Sequence, residues 1–293
     1  MSMEVYLSCF NKKIKVKLFK GVSNYYLFKF WLYRFCPGIN FIEKSTLYHF
    51  TIKCIQSSKH EYKLVNKTLY IFGNFENYES FMAKLITQVF QMLLIKERIL
   101  ILPAACVGKN NDCLLIIGDF GQGKTSTAIH LYEKYNLELI TDNYVAIKNS
   151  KVIGSTMFLS IREENNKLLK DYKKVFTLNN RMFYERKNYL NIEKSIKGFV
   201  VPFINNGDNN FHVISKEESK WYLYQKFSRL INGETILFNG KMPSPVFNTK
   251  NTSIAILNIV NQVLENNMIL YASSSLENIA KESYKFLYGD FYE

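Results

Sequence analysis

The 293-residue chain is 47% hydrophobic and 22% charged, a balance that excludes a disordered or fibrous polypeptide and allows one large or two modest domains with a full core. Its formal net charge of +13 favours an acidic partner, yet the lysines are spread along the chain with no helix-turn-helix, finger or RNP-type pattern, so nucleic acid is not the expected ligand. Five cysteines without C-x-x-C spacing argue against a zinc site or disulfide framework, and without a signal-type start or ~18 uninterrupted apolar residues the chain is expected to be cytoplasmic, with no membrane partner.

The first stretch alternates short runs rich in Val, Ile, Tyr and Phe: Glu4 to Cys9, Lys13 to Phe19, Tyr25 to Tyr33, Leu47 to Ile55, Tyr62 to Val65 and Thr68 to Phe72. Punctuated by Asn, Gly, Ser and Lys, these runs predict an antiparallel sheet. From Tyr78 to Ile95, Phe81, Met82, Leu85, Ile86, Val89, Phe90, Leu93 and Leu94 recur at helical steps, predicting a helix with one wide core-facing stripe. A boundary near residues 73 to 96 separates a β-rich N-terminal region, 1–95, from a nucleotide-binding region, 96–293.

Ile99 to Leu102 reads as the next strand and Cys113 to Ile117 as a short buried one. Directly after it, Gly118-Asp119-Phe120-Gly121-Gln122-Gly123-Lys124-Thr125 fits G-x-x-x-x-G-K-[ST], the Walker A or P-loop pattern, and Ser126 to Tyr135 reads as the helix that follows. Glycines let such a loop curl so that backbone N–H groups point at phosphate oxygens, and the helix N-terminus adds partial positive charge. The expected ligands are ATP and Mg²⁺, held by Gly118, Phe120, Gly121, Gln122, Gly123, Lys124, Thr125 and Ser126. Lys124 would reach the β- and γ-phosphates and the Thr125 hydroxyl would bind the metal. Asp119, at a variable position of the pattern, is expected to face solvent.

Leu137 to Thr141 is an apolar-rich strand ending at Asp142. A carboxylate at the C-terminal end of a strand faces the same crevice as the glycine loop in an open α/β sheet, so Asp142 is a candidate for metal binding or proton transfer. On its own, Asp142-Asn143 reads equally as an ordinary hairpin turn.

The short distance from Lys124 to Asp142 resembles the HPr kinase/phosphorylase and phosphoenolpyruvate carboxykinase superfamily. Its kinases follow a similar glycine loop, after one helix and one strand, with an apolar-apolar-[ST/A]-Asp-Asp segment; here Leu139-Ile140-Thr141-Asp142-Asn143 stands in that place. Ile99 to Val107 and Phe158-Leu159-Ser160-Ile161-Arg162 resemble two further segments of the family, with Pro103 in place of a His and Ser160 in place of a Glu. The resemblance spans roughly residues 95 to 290 and implies a mixed-sheet α/β P-loop catalytic domain with a β-rich N-terminal addition. It implies Asp142 as the base for an acceptor hydroxyl and a metal ligand beside Thr125, with Lys124 and Arg162 neutralising the transferred phosphoryl. Asn143, Ser160 and Pro103 remove carboxylates and an imidazole, so kinase activity without reverse phosphorolysis is expected. Similar members include tailoring kinases of ribosomally made peptides, which suggests a peptide or protein Ser/Thr acceptor. A small-molecule acceptor, a switch ATPase without acceptor and a nucleotide-binding scaffold with little turnover remain as alternatives, and the oligomeric state stays open.

Further along, Val145 to Lys148, Phe158 to Ile161, Gly198 to Ile204 and Asn210 to Ile214 predict strands, with a hairpin turn at 205–209. Arg162 sits after one of these strands, although a solvated charged turn would read the same way. Asn165 to Phe176 predicts a helix. Thr177 to Asn191 predicts an irregular lid-like stretch in which Arg181, Arg186, Lys187, Tyr184 or Tyr189 could close over a ligand. Helices are expected at Glu217 to Arg229, Thr252 to Glu265 and Ser275 to Leu287.

Overall fold

The computed structural model describes residues 2–19, 24–75, 78–162, 169, 172–186, 189–205, 207, 209–233, 237–238, 242–243 and 245–288. The N-terminal region builds a six-stranded sheet from β1 (Ser2–Cys9), β2 (Lys12–Phe19), β3 (Ile39–Phe41), β4 (Phe50–Gln56), β5 (Glu61–Val65) and β6 (Thr68–Gly73), in the order β3-β1-β2-β4-β6-β5. The sheet is mixed and not antiparallel as its sequence suggests: β2 pairs parallel to β4, and β4 parallel to β6. Parallel pairing needs a long connection, and the segment between β2 and β4 supplies one in the form of a helix.

That helix, α1 (Tyr25–Phe35), overturns the strand expected at Tyr25 to Tyr33. Its dense aromatic content mimics a strand, but the Asn24 side chain caps its N-terminus by accepting from the Leu27 N–H. Phe28 and Leu32 enter the main core while Phe30 enters a second cluster, so the helix is apolar on two sides and loses the single stripe that would betray it. After β6 comes α2 (Glu79–Leu94), the expected amphipathic helix, buried over most of its surface, with Gln88 and Gln91 also inside.

The second sheet contains nine strands: β7 (Leu100–Pro103), β8 (Ala105–Lys109), β9 (Asp112–Ile116), β10 (Glu138–Thr141), β11 (Tyr144–Lys148), β12 (Lys151–Ser155), β16 (Leu190–Ile204), β17 (Asn210–Val213) and β20 (Ile269–Ser274). Side chains alternate across it. Leu114 and Ile116 face α3 (Lys124–Tyr135) and α6 (Leu276–Tyr288), while Cys113, Leu115 and Ile117 face the core shared with α2, α4 (Lys216–Asn232) and α5 (Lys250–Leu264). Helices therefore cover both faces of a mixed α/β sheet. The main core runs without a break from Val5 in β1 to Ile269 in β20, so the two regions share one apolar interior across residue 95. All five cysteines lie buried and unbridged.

Further expectations need correction. The 205–209 connection is not a hairpin, because β20 inserts between β16 and β17 and pairs with both. Thr177 to Asn191 is not irregular: it contributes to a three-stranded sheet of β13 (Phe158–Arg162), β15 (Arg181–Glu185) and β14 (Lys173–Leu178). Its Asn179-Asn180 turn adopts positive φ at both positions, a hairpin turn that composition alone resembles a loop. The helix expected from Asn165 lies partly outside the described residues, and its end, from Lys173, is strand.

Phe30 of α1 contacts Phe158, Phe176 and Phe183 of the three-stranded sheet at centroid distances of 5.0, 4.8 and 5.0 Å. This cluster fastens the N-terminal helix to β13 and β15. Phe30→Ala is expected to cost about 3–5 kcal/mol in urea unfolding; a loss below about 1 kcal/mol would show that the cluster holds nothing together.

Candidate functional site

The glycine loop grows out of the end of β9. Gly118, Gly121 and Gly123 all take positive φ, at 148°, 86° and 100°. A side chain at Gly123 would also collide with Ile204, which projects from the end of β16 onto the start of α3. Gly123 caps α3 without any side-chain hydrogen bond, so the first-turn N–H groups have no side-chain acceptor and can receive an anion.

Lys124 lies across this loop, donating from Nζ to the carbonyls of Gly118 and Asp119 at 3.0 and 2.8 Å. Burial pushes its ammonium down to about 8, an effect opposed by Asp119 and reinforced by Lys226 and Arg229. Asp119 is half exposed, as expected, but pairs with Lys226 and Arg229 of α4 at 2.8 and 2.9 Å. Gln122 turns inward and accepts from the Asp119 N–H.

A pocket of about 230 Å³ opens beside the loop, lined by Phe120, Gly121, Gly123, Lys124, Thr125, Ser126, Ser160, Arg162 and Arg181. Most of the residues singled out by sequence thus meet around one cavity, with Gly118 and Gln122 shaping the loop behind it. Ser160 and Arg181 join them. Of the other lid candidates, Arg186 is buried and bonds Ser155 and Glu138, and Tyr184 is buried in the core, so neither faces this pocket. Lys187 lies outside the described residues.

Asp142 sits one layer deeper. Strand β10 pairs antiparallel with β8, and β8 antiparallel with β9, so β10 runs parallel to β9 and ends at the same edge as the loop. The Asp142-Asn143 segment is no hairpin turn, since β11 pairs with β7 and β12 and not with β10. Asp142 is 6% exposed and does not line the pocket. Arg34 grips both its oxygens, Nη1 to Oδ1 at 2.7 Å and Nη2 to Oδ2 at 2.9 Å. The guanidinium also donates to the Phe158 carbonyl and to Ser160 Oγ, at 2.9 and 2.6 Å. Ser160 Oγ in turn donates to Asp142 Oδ2 at 3.2 Å and accepts from Arg181 Nη1 at 3.0 Å. Asn143 adds a second tie by donating from Nδ2 to the Arg34 carbonyl at 2.7 Å.

Arg34 was invisible to sequence reasoning because it directly follows a run, Tyr25 to Tyr33, read as a strand, and lies far from any motif. Ser160 and Arg181 carried weak signals, one as a departure from the family segment and the other as a basic residue in a supposed lid.

A magnesium ion usually takes one or two protein oxygens, several waters and substrate phosphates. Here the Thr125 hydroxyl lines the pocket, while Asp142 has both oxygens committed to Arg34. Among the described residues no three His, Cys, Asp or Glu side chains converge. The site fits an ion carried chiefly by a ligand's phosphates and touched by Thr125, and Asp142 in this arrangement does not fit as a ligand. No helix among the described residues is long and apolar enough to cross a membrane. No protein-family model and no curated protein matches this sequence.

A buried pair broken on one side leaves an uncompensated charge, at a cost of about 3–5 kcal/mol. Arg34→Met should lose stability of that order in urea unfolding. Arg34→Met combined with Asp142→Leu should recover at least half of it, and an additive double variant would show that the two side chains do not depend on each other.

Proposed function

We propose that the chain is an ATP-dependent phosphotransferase of the HPr-kinase-like P-loop type, transferring the γ-phosphoryl group to a hydroxyl. One observation carries this reading: the glycine loop, an uncapped helix N-terminus, Lys124, Thr125 and Arg162 converge on a single cavity with no carboxylate in its lining among the described residues. Backbone N–H groups of 121–126 would bind the β- and γ-phosphates, and Lys124 would exchange its two loop carbonyls for phosphate oxygens. The Thr125 hydroxyl would be the protein's ligand to magnesium entering with the nucleotide, which supplies charge shielding between the phosphates. Arg162 would neutralise charge on the phosphoryl in flight. Phosphoryl transfer depends mainly on positioning and charge stabilisation, so these groups are chemically sufficient.

The acceptor is best read as a Ser or Thr of a peptide or protein. Strand β5 forms an edge of the N-terminal sheet, with all five residues exposed, and such an edge suits capture of an extended peptide by strand addition. A small-molecule hydroxyl is the alternative within the same chemistry. A second reading, a nucleotide-binding switch with no acceptor, is favoured by the Arg34 grip on Asp142, which commits both of its oxygens and leaves it ill placed to take a proton.

Lys124→Ala should reduce transfer of labelled γ-phosphate to a peptide library at least about a hundredfold. Undiminished transfer would sink the phosphotransferase reading, and hydrolysis without labelled peptide would favour the switch.

The Lys124 ammonium also sets a pH dependence. Its charged form, present below about 8, attracts phosphate, and the neutral form above it does not. ATP affinity should therefore be level below about pH 8 and weaken as pH rises beyond it, with proton uptake on binding at pH 9. Calorimetry in two buffers of different ionisation enthalpy measures both; an affinity unchanged between pH 7 and 9.5 would contradict the role given to Lys124.

A further inference from the structure

Arg162 and Arg181 stand directly opposite each other in the antiparallel register of β13 and β15. Like charges at such a cross-strand position repel and weaken the sheet. Among the described residues neither forms a salt bridge: Arg181 has the neutral Ser160 hydroxyl, and the nearby carboxylate, Asp142, is held by Arg34. Arg181 is half buried, and the positive charges of Arg34 and Arg162 both act on it, opposed by Asp142. With Lys124 the pocket gathers three cations, and no acid lines it among the described residues. A repulsive pair kept beside a cavity calls for a ligand that reverses the repulsion, and a tetrahedral dianion does so best, because each planar guanidinium can donate to two of its oxygens.

We propose that Arg162 and Arg181 form a two-armed clamp for a phosphate dianion, and that the clamp receives the terminal phosphoryl group of the nucleotide. Its assignment to that group rests on the phosphotransferase reading, whereas its capacity to bind a free dianion does not. Arg181 is then a further catalytic residue, touching the same group as Arg162 from the neighbouring strand. The hairpin β13–β15 holds both arms at one spacing, and Ser160, between the strands' arginines and Asp142, sets the direction of the Arg181 fork.

The test uses the full chain and inorganic phosphate, followed by calorimetry and by the shift in melting temperature. Wild type should bind phosphate saturably, in the presence of ADP as well as alone, and ATP should displace it. Arg181→Ala should weaken phosphate binding at least about tenfold, as expected for loss of a charge-assisted fork. Arg181→Gln, which keeps a donor toward Ser160, should melt no lower than wild type in phosphate-free buffer yet gain clearly less stability than wild type from added phosphate. Equal phosphate affinity in wild type and Arg181→Ala, or equal stabilisation of wild type and Arg181→Gln, would overturn the clamp. Phosphate and ATP bound together would overturn its placement at the terminal phosphoryl. Phosphate bound by a chain that does not bind ATP would leave the clamp standing and remove the kinase reading instead.

Discussion

The bidentate pair between Arg34 and Asp142 is the constraint on which the arrangement of this molecule turns. Two charges withdrawn from water gain little net stability, but neither can be left alone inside, so the pair dictates that α1 and the end of β10 stay together. The polar groups around them are closely tied. The guanidinium serves the carboxylate, the Phe158 carbonyl and Ser160, and Asn143 closes the last turn of α1 through the Arg34 carbonyl. The aromatic packing of Phe30 then repeats the attachment with apolar contacts. The N-terminal region thereby supports the layer behind the candidate site and is not an appendage, which is consistent with a core that runs unbroken through both halves.

This pairing also shapes the electrostatics in front of it. With Asp142 neutralised, the cations that line the pocket meet no acidic side chain in its lining among the described residues. On the far side of the loop the opposite holds, since Asp119 draws Lys226 and Arg229 to itself. That contact is half exposed, and exposed ion pairs contribute little, so it orients the loop without locking it. The loop is thus held weakly on its outer side, while the arginine hairpin facing it is anchored through Ser160 to a rigid buried layer.

What could be read in the sequence follows from how local each cause is. The glycine loop was legible because its chemistry is contiguous: three backbone positions with positive φ, a lysine and a hydroxyl fall within eight residues of one another, between a strand and a helix. The stripe of α2 was legible for the same reason. The parallel pairing of β2 with β4, the insertion of β20 beside β16, and the cross-strand meeting of Arg162 with Arg181 depend on partners far along the chain, which periodicity does not report. In α1 the local signal misled outright. Aromatic residues that pack on two sides leave a helix without a single stripe, and the one polar residue inside it, Arg34, explains itself only once Asp142 is seen 108 residues away.

The hydroxyl of Ser160 shows how the two layers connect. It has one proton to donate and two lone pairs to offer, and all are used: it donates to Asp142 and accepts from Arg34 and Arg181. A glutamate at this position would place a second carboxylate among these groups, compete with Asp142 for Arg34 and give Arg181 an acidic partner. Serine does neither. It lets Arg34 keep Asp142 to itself and leaves Arg181 oriented but unneutralised, so a small side chain preserves both the closed inner pair and the positive outer pocket. The inner layer supplies position and the outer layer supplies charge, and the division between them runs through this single oxygen.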